Sequence, residues 1–454
     1  MMQESMRNDR CWNEAETILL RGGRVVDPAA GVDGPQDIFL RRGRVEGRSP
    51  RIEREADLVI DLEGLVCAPG FGDLHVHLRE PGGEDAETIA SGTRAAAIGG
   101  FTRVAGMPNT QPAIDTRGDV EFQIRQARAA GHCRLYPVAA ATRDRAGREL
   151  TEIQELKEAG AIAVSDDGSP VADALVMRRL LEYARTWDVL VITHAEDPAL
   201  SRGGVMNEGY WSTTLGLPGV PSAAESIAID RDVRLAELTG ARLHVAHVST
   251  REGVEIIRAA KARGVKVTGE TAPHYLLLTD EALKGYDPVF RVNPPLRTEA
   301  DRRAVIEGLR DGSLDLIATD HAPHTQVAKD QELDAAPPGM IGLETAVGVS
   351  LEVLHHREGL GLSDLVRMLA ARPAEVAGWG GGEIRLGDDA DLTVFDPAAE
   401  WIVDPSRFAS KSRNCPFREL PLRGRVRMTV CGGKLTHVEG LAFRPSERLQ
   451  ALVG

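Results

Sequence analysis

Cysteine is scarce in this 454-residue chain: Cys11, Cys67, Cys133, Cys415 and Cys431 are scattered, with no CxxC pair. That excludes a disulfide framework and a thiolate-held structural zinc. No apolar stretch reaches the ~18–20 residues that a membrane-spanning helix needs. The opening "MMQESMRNDRCWNEAE" is charged and has no signal-peptide core, so a cytoplasmic location is expected. An excess of basic charge is also missing. Lys and Arg number 54 against 68 Asp and Glu, and the formal charge of -14 argues against nonspecific binding to nucleic acid or to an anionic membrane. A small anionic substrate is still allowed, because one local Arg or metal overrides the global field.

What is present is a repeat. A short β-branched or apolar run ends in polar residues, and a longer stretch of helical periodicity follows. The runs are "FGDLHVH", "FTRVAGM", "RLYPVAA", "AIAVSDDG", "VLVITHAE", "RLHVAHVS", "VKVTGE" and "DLIATDHA". Helical patterns lie between them, as at 84–100, 174–188 and 251–264, the last with apolar residues at i, i+3, i+4 and a closing glycine. Eight strand–helix units in succession predict a parallel (β/α)8 barrel, an α/β fold whose active site lies at the C-terminal ends of its strands. The flanks differ. Residues 17–66 and 384–440 carry short alternating strands with glycine turns, each too short for its own core. They are expected to fold together as a small β-sandwich beside a barrel spanning 67–383, with 1–16 as a loose tail.

Polar residues gather where the barrel rule puts a site. His75 and His77 end the first run, Asn109 follows the second, and Asp167 ends the fourth. His194, His247 and Asp320 end the fifth, sixth and eighth. In an extended strand, residues 75, 77 and 79 share one face, so Arg79 joins the two imidazoles there. By the same alternation His244 faces away from His247, toward the helices. Four imidazoles and two carboxylates suit a divalent metal such as Zn²⁺, in one or two copies. In one arrangement His75, His77 and Asp320 hold one ion, His194 and His247 a second, and Asp167 reaches one or both. Water on such an ion is acidified enough to give hydroxide near neutral pH. Asp320 beside it is placed to take that proton and deliver it to a leaving nitrogen. Metal-assisted hydrolysis of an amide-like bond is the chemistry this favours. Asp166 reads as a turn residue or a partner of a ligand, and the long 324–339 segment as a lid with a solvated acidic face.

"GFGDLHVHLREPG", "GMPNTQPAID", "SDDGSPV", "HVAHVST", "VNPPLRTEADR" and "ATDHAPH…PPGMIGLET" together resemble the bacterial dihydroorotases of the amidohydrolase superfamily. "FASKSRNCPF" and "GRVRMTVCGGK" extend the likeness to about residue 440. The resemblance implies reversible ring opening of dihydroorotate to N-carbamoyl-aspartate in pyrimidine biosynthesis. It also implies that the six residues above are the metal site, with Asp320 as general acid/base. Arg79, Asn109 and His324 would then grip the substrate carboxylate. Asn293 and the loop from Pro338 and Gly339 to Gly342 would read the ring's amide edges. Many superfamily members bridge two metals with a carboxylated lysine on the fourth strand. Here that strand has no lysine, and the resemblance to dihydroorotases with "DDG" implies that Asp167 would take its place. Two other readings compete: a hydantoinase or allantoinase with the same chemistry, and a non-catalytic chain scaffolding aspartate carbamoyltransferase. An active chain would also be compatible with that transferase as a partner, and with a homo-oligomer.

Overall fold

The computed structural model describes residue 8 and residues 10–453. Five strands come first: β1 (Thr17–Asp27), β2 (Val32–Arg41), β3 (Arg44–Ser49), β4 (Leu58–Asp61) and β5 (Val66–Pro69). The repeat then supplies β6 (Phe71–Val76), β7 (Phe101–Gly106), β8 (Arg134–Ala140), β9 (Ala163–Ser165) and β10 (Leu190–Thr193). A two-stranded excursion, β11 (Met206–Asn207) with β12 (Gly219–Val220), precedes β13 (Leu243–Val245), β14 (Val267–Thr271) and β15 (Leu316–Ile317). The chain ends with β16 (Leu392–Ile402), β17 (Pro421–Cys431), β18 (Lys434–Val438) and β19 (Phe443–Pro445).

Strands β6 to β10 and β13 to β15 form one eight-stranded parallel sheet in sequence order. A parallel bridge from Val76 to His321, with His77 N–H donating to the His321 carbonyl at 2.8 Å, brings its two edges together. The expected barrel is therefore present. Its strands are buried on both faces, as parallel strands covered by helices must be. Leu74, Ala105, Val138, Ala163, Leu190, Ile192 and Leu316 pack together inside, while Val76, Val104, Ala139, Val191 and Val245 pack outward against the helices. Capping residues set where the helices begin. The Thr88, Asp173 and Thr250 side chains accept backbone N–H bonds, and the helices run Ile89–Ile98, Ala174–Thr186 and Arg251–Ala262. Each lies inside its predicted range.

The terminal strands form one nine-stranded sheet, ordered β18-β17-β16-β5-β1-β2-β3, with β4 and β19 branching from β1. It folds over its own core of Leu20, Ile38, Leu40, Ile60, Leu392 and Val430. The two terminal segments thus fold together beside the barrel as expected, and their hydrogen bonding is continuous, because the long β1 pairs with β2 along one edge and with β4 and β5 along the other. The sheet also runs to Pro69 and Pro445, past the expected limits of 66 and 440.

Within 1–16, the described residues are not a loose tail. Residues 10–14 are helical, and Trp12 is 3% exposed, its indole N–H donating to the Gly433 carbonyl at 3.0 Å. An apolar ring on an otherwise charged segment had a core within reach, and burying it outweighs the cost of ordering the turn. Residues 1–7 and 9 lie outside the described residues.

Candidate active site

His75 and His77 leave β6 pointing into the mouth of the barrel, and each ring is fixed through its Nδ1. His75 Nδ1 lies 2.9 Å from Glu270 Oε1, and His77 Nδ1 lies 2.7 Å from Asn109 Oδ1. Both Nε2 atoms are thereby turned toward two carboxylates. His77 Nε2 is 3.2 Å from Asp320 Oδ1 and 3.6 Å from Asp167 Oδ2. His75 Nε2 is 3.3 Å from Asp167 Oδ1 and 3.7 Å from Asp320 Oδ1. From the far side, His194 Nδ1 and His247 Nε2 come within 3.5 and 3.6 Å of Asp167 Oδ1, and within 2.9 Å of each other. All six predicted ligands are buried and converge.

These donors fit a metal. Within the cluster, His75 Nε2 and Asp167 Oδ1 are buried and have no hydrogen-bond partner, a costly state for groups that no ion neutralises. Two sets of ligand atoms, His75–Asp167–His247 and His75–His77–Asp320, each lie mutually within 4.8 Å. The nitrogen and oxygen donors are of the kind divalent first-row metals accept, and no thiolate is among them. Electrostatics agree. Burial works to raise the Asp167 pKa, but the His75, His194 and His247 contacts overcome it and hold the carboxyl well below its usual range. Burial opposes a charge on His75, and Asp167 with Glu270 reverses that, so its pKa lies well above the usual value.

Backbone conformation explains how so many side chains meet. Arg79, His247 and Asp320 all have left-handed backbone, at φ 60°, 36° and 48°. The alternation used to place Arg79 beside His77 does not reach that far, since β6 ends at Val76. The turn itself swings the guanidinium in. Arg79 Nε donates to the Pro323 carbonyl at 3.1 Å, and Nη2 lies 3.5 Å from His324 Nε2. Burial pushes the Arg79 pKa down to about 10 despite the Asp320 and Asp167 charges nearby. Among the described residues no carboxylate comes within ion-pair distance of it.

The other predicted contacts gather around the same mouth. Asn109 is chiefly a partner of His77, with its Nδ2 3.5 Å from Asp167 Oδ2. The Asn293 amide lies 3.3 Å from His194 Nε2. His324 Nε2 donates to the Pro338 carbonyl at 2.9 Å. Gly339 has φ +143°, and a Cβ there would stand 2.8 Å from His324 Nε2, so only glycine lets the loop pass this close. Asp166 accepts from the Thr142 N–H at 2.9 Å and from its hydroxyl, and so acts as a support beside a ligand. The 324–339 segment borders the site. Lys329, 5% exposed, donates to the carbonyls of Pro337 and Gly339 at 3.0 and 3.2 Å, while Asp330, Glu332 and Asp334 face solvent.

The expectation for His244 was wrong. It is fully buried inside the barrel, with Nε2 3.0 Å from Glu270 Oε2 and Nδ1 2.8 Å from Thr268 Oγ1. Alternation counted back from His247 fails because β13 stops at Val245 and His247 is already in a turn. Glu270 itself went unnoticed in "VKVTGE", where a lone strand glutamate carries no motif. It links His244 to His75, and although burial alone would raise its pKa, the two histidines bring it down to about 2. A carboxylate behind a ligating imidazole fixes its tautomer and strengthens its donation. Glu270→Gln is expected to weaken metal affinity roughly 10–100-fold. Competition against a chromogenic chelator reads this directly, and unchanged affinity would remove Glu270 from the centre.

The chain is 50% identical over 434 residues to a dihydroorotase of Anaeromyxobacter dehalogenans, an alignment covering 95% of this chain and 100% of that protein. The chain belongs to the dihydroorotase family. A second dihydroorotase, from Syntrophus aciditrophicus, is 48% identical over 93% of this chain and 99% of its own length. The family model described as dihydro-orotase-like matches residues 64–253, from just before β5 into the first turn of the helix after β13. Among solved structures, an L-hydantoinase from Arthrobacter aurescens superimposes with TM-score 0.84 at 26% identity, covering 93% of this chain and 96% of that one. The dihydroorotase family thus shares its barrel and terminal sheet with hydantoinases. Among the described residues, no helix is long and apolar enough to cross a membrane.

Proposed function

We infer that this chain is a metal-dependent cyclic amide hydrolase that interconverts dihydroorotate and N-carbamoyl-aspartate. The observation that carries the reading is Arg79: a half-buried guanidinium without a carboxylate partner, set against a cluster of metal-type ligands. A cation partly withdrawn from water and left without an acidic partner favours an anion that arrives with the substrate, and a guanidinium matches a carboxylate through two parallel bonds. A neutral cyclic ureide, the kind of ring a hydantoinase opens, offers no such anion.

In this reading His75, His77, His194, His247, Asp167 and Asp320 hold one or two Zn²⁺ ions. When bound, zinc supplies hydroxide at neutral pH and Lewis acidity toward the ring carbonyl. The chain's own groups do the rest. Arg79, Asn109 and His324 orient the carboxylate, and Asn293 with the Pro338–Gly339 backbone faces the ring amides. Asp320 takes the proton of the attacking water and returns it to the departing ring nitrogen. Intact ligands weigh against a purely scaffolding role. Partnership with aspartate carbamoyltransferase, self-association and a cytoplasmic location belong to the same proposal.

Hydrolysis of dihydroorotate by purified protein, with elemental analysis of the same sample, tests this. Chelator-sensitive turnover with one or two zinc per chain supports it; bound metal with turnover only of hydantoin would replace it. Arg79→Met is expected to raise KM for dihydroorotate about 10–100-fold, the loss of a charged hydrogen-bonded pair, with a smaller effect on kcat. Burial, then the Arg79 charge, pushes the His324 pKa down to about 3, so this ring is neutral throughout the working range. His324→Asn should therefore raise KM and leave the acid limb of the pH–kcat/KM profile where the parent has it. A shifted limb would mean that His324 titrates in the parent.

A further inference from the structure

The turn after β8 is held in a left-handed conformation at two consecutive residues. Asp144 and Arg145 are consecutive non-glycine residues with left-handed backbone, at φ 52° and 55°. Such residues are strained, and strain of this kind persists only where the surroundings enforce it. Here the enforcement comes from Asp166, which binds the Thr142 N–H and hydroxyl, while the Gly147 N–H donates to Thr142 Oγ1 at 2.8 Å. The turn is thus clamped to the residue next to Asp167. Its product is the placement of one side chain. Arg145 Nη1 donates to the Asp167 carbonyl at 2.7 Å and lies 3.4 Å from Ser169 Oγ.

Three further facts describe what that guanidinium faces. Among the described residues no carboxylate forms an ion pair with it, and its Nε is buried without a partner. Its Nη1 and the Asn109 Nδ2 stand 3.9 and 3.7 Å from the point a Cβ on Gly168 would occupy, so a glycine with φ +74° keeps an open notch between two donors. Its charge is also felt at Arg79. Two arginines without acidic partners therefore flank the same mouth, together with an amide donor. We propose that Arg145 is a substrate-selecting residue, a second guanidinium that with Arg79 and Asn109 draws the carboxylate end of the substrate into the notch at Gly168.

The inference rests on the cyclic-amide reading only for the identity of the anion, so its test includes a binding measurement that needs no turnover. Arg145→Met and Arg145→Lys are compared with the metal-loaded parent. Calorimetric titration of N-carbamoyl-L-aspartate is expected to show roughly tenfold weaker binding to Arg145→Met, the scale of one lost charged hydrogen bond, and recovery of most of it in Arg145→Lys. KM for dihydroorotate should rise by a similar factor, and kcat/KM should fall less steeply with salt, because one attracting charge is gone. Zinc content should match the parent's. Equal binding and an equal salt slope in parent and Arg145→Met overturn the proposal, whether or not the parent hydrolyses dihydroorotate. Loss of zinc with KM unchanged overturns it too, because Arg145 would then serve only to anchor Asp167. Failure of the parent to turn over dihydroorotate while it binds the dicarboxylate through Arg145 sinks the reading of function and leaves Arg145 standing as an anion selector.

Discussion

Asp320→Asn is expected to lower kcat by about 10²–10⁴-fold, the range a positioned general acid–base group contributes, while KM for dihydroorotate moves far less. The forecast follows from where Asp320 stands. It lies beyond β15 with φ 48°, and its Oδ1 is 3.2 Å from His77 Nε2 and 3.7 Å from His75 Nε2. Burial would raise its pKa, yet the three surrounding histidines hold it below the usual carboxylate range, so it enters the cycle ionised and able to accept a proton. Asp320 caps no helix, because the next helix begins at Gln326 under Thr325. An amide keeps the size and one oxygen donor but accepts no proton. Steady-state kinetics with zinc content measured on the same protein separates the outcomes. Loss of kcat with zinc retained identifies the proton carrier, and loss of both reduces Asp320 to a ligand. Activity within tenfold of the parent would end the proton-shuttle assignment.

Some of this site was legible in the sequence and some was not, and the boundary has a structural cause. Strand ends can be read because apolar runs stop there, so His75, His77, Asp167, His194, His247 and Asp320 were found by position alone. The barrel followed from the number of runs. Beyond a strand's last residue the alternation of side chains no longer applies, and this chain builds much of its site in that region. Arg79, His247 and Asp320 turn left-handed just past β6, β13 and β15. Position at the ends of the runs still located His247 and Asp320, but parity misplaced His244 and gave the wrong reason for Arg79. Glu270, Lys329 and Arg145 were not found at all. Each is a common charged residue in an ordinary setting, and its importance comes from partners distant in sequence: His75 for Glu270, Gly339 for Lys329, Asp167 for Arg145. Trp12 was missed for the same reason, since its partner at Gly433 is 421 residues away.

Asp167→Asn is expected to be the most damaging single change to metal binding. Four imidazoles face this one carboxylate: His75 and His247 at 3.3 and 3.6 Å and His194 at 3.5 Å from Oδ1, and His77 at 3.6 Å from Oδ2. Neither the 3.5 Å approach of Asn109 Nδ2 nor the Arg145 bond to its main-chain carbonyl compensates for the charge. Substituting an amide leaves a neutral group among the imidazole donors, so those donors would have to hold one or two ions without the anion they share. The carboxylated lysine of other superfamily members is longer, and this strand offers no lysine to substitute for the lost carboxylate. The expected result is loss of at least one equivalent of zinc and a fall in kcat/KM of roughly 10³-fold or more, the usual scale for a dismantled catalytic group. Titration of the metal-free protein with zinc distinguishes the two possible stoichiometries. If the parent takes up two equivalents and Asp167→Asn one, the carboxylate bridges. If the parent takes up one and the variant also one, with activity retained, Asp167 lies beside the metal and His194 and His247 serve the substrate instead.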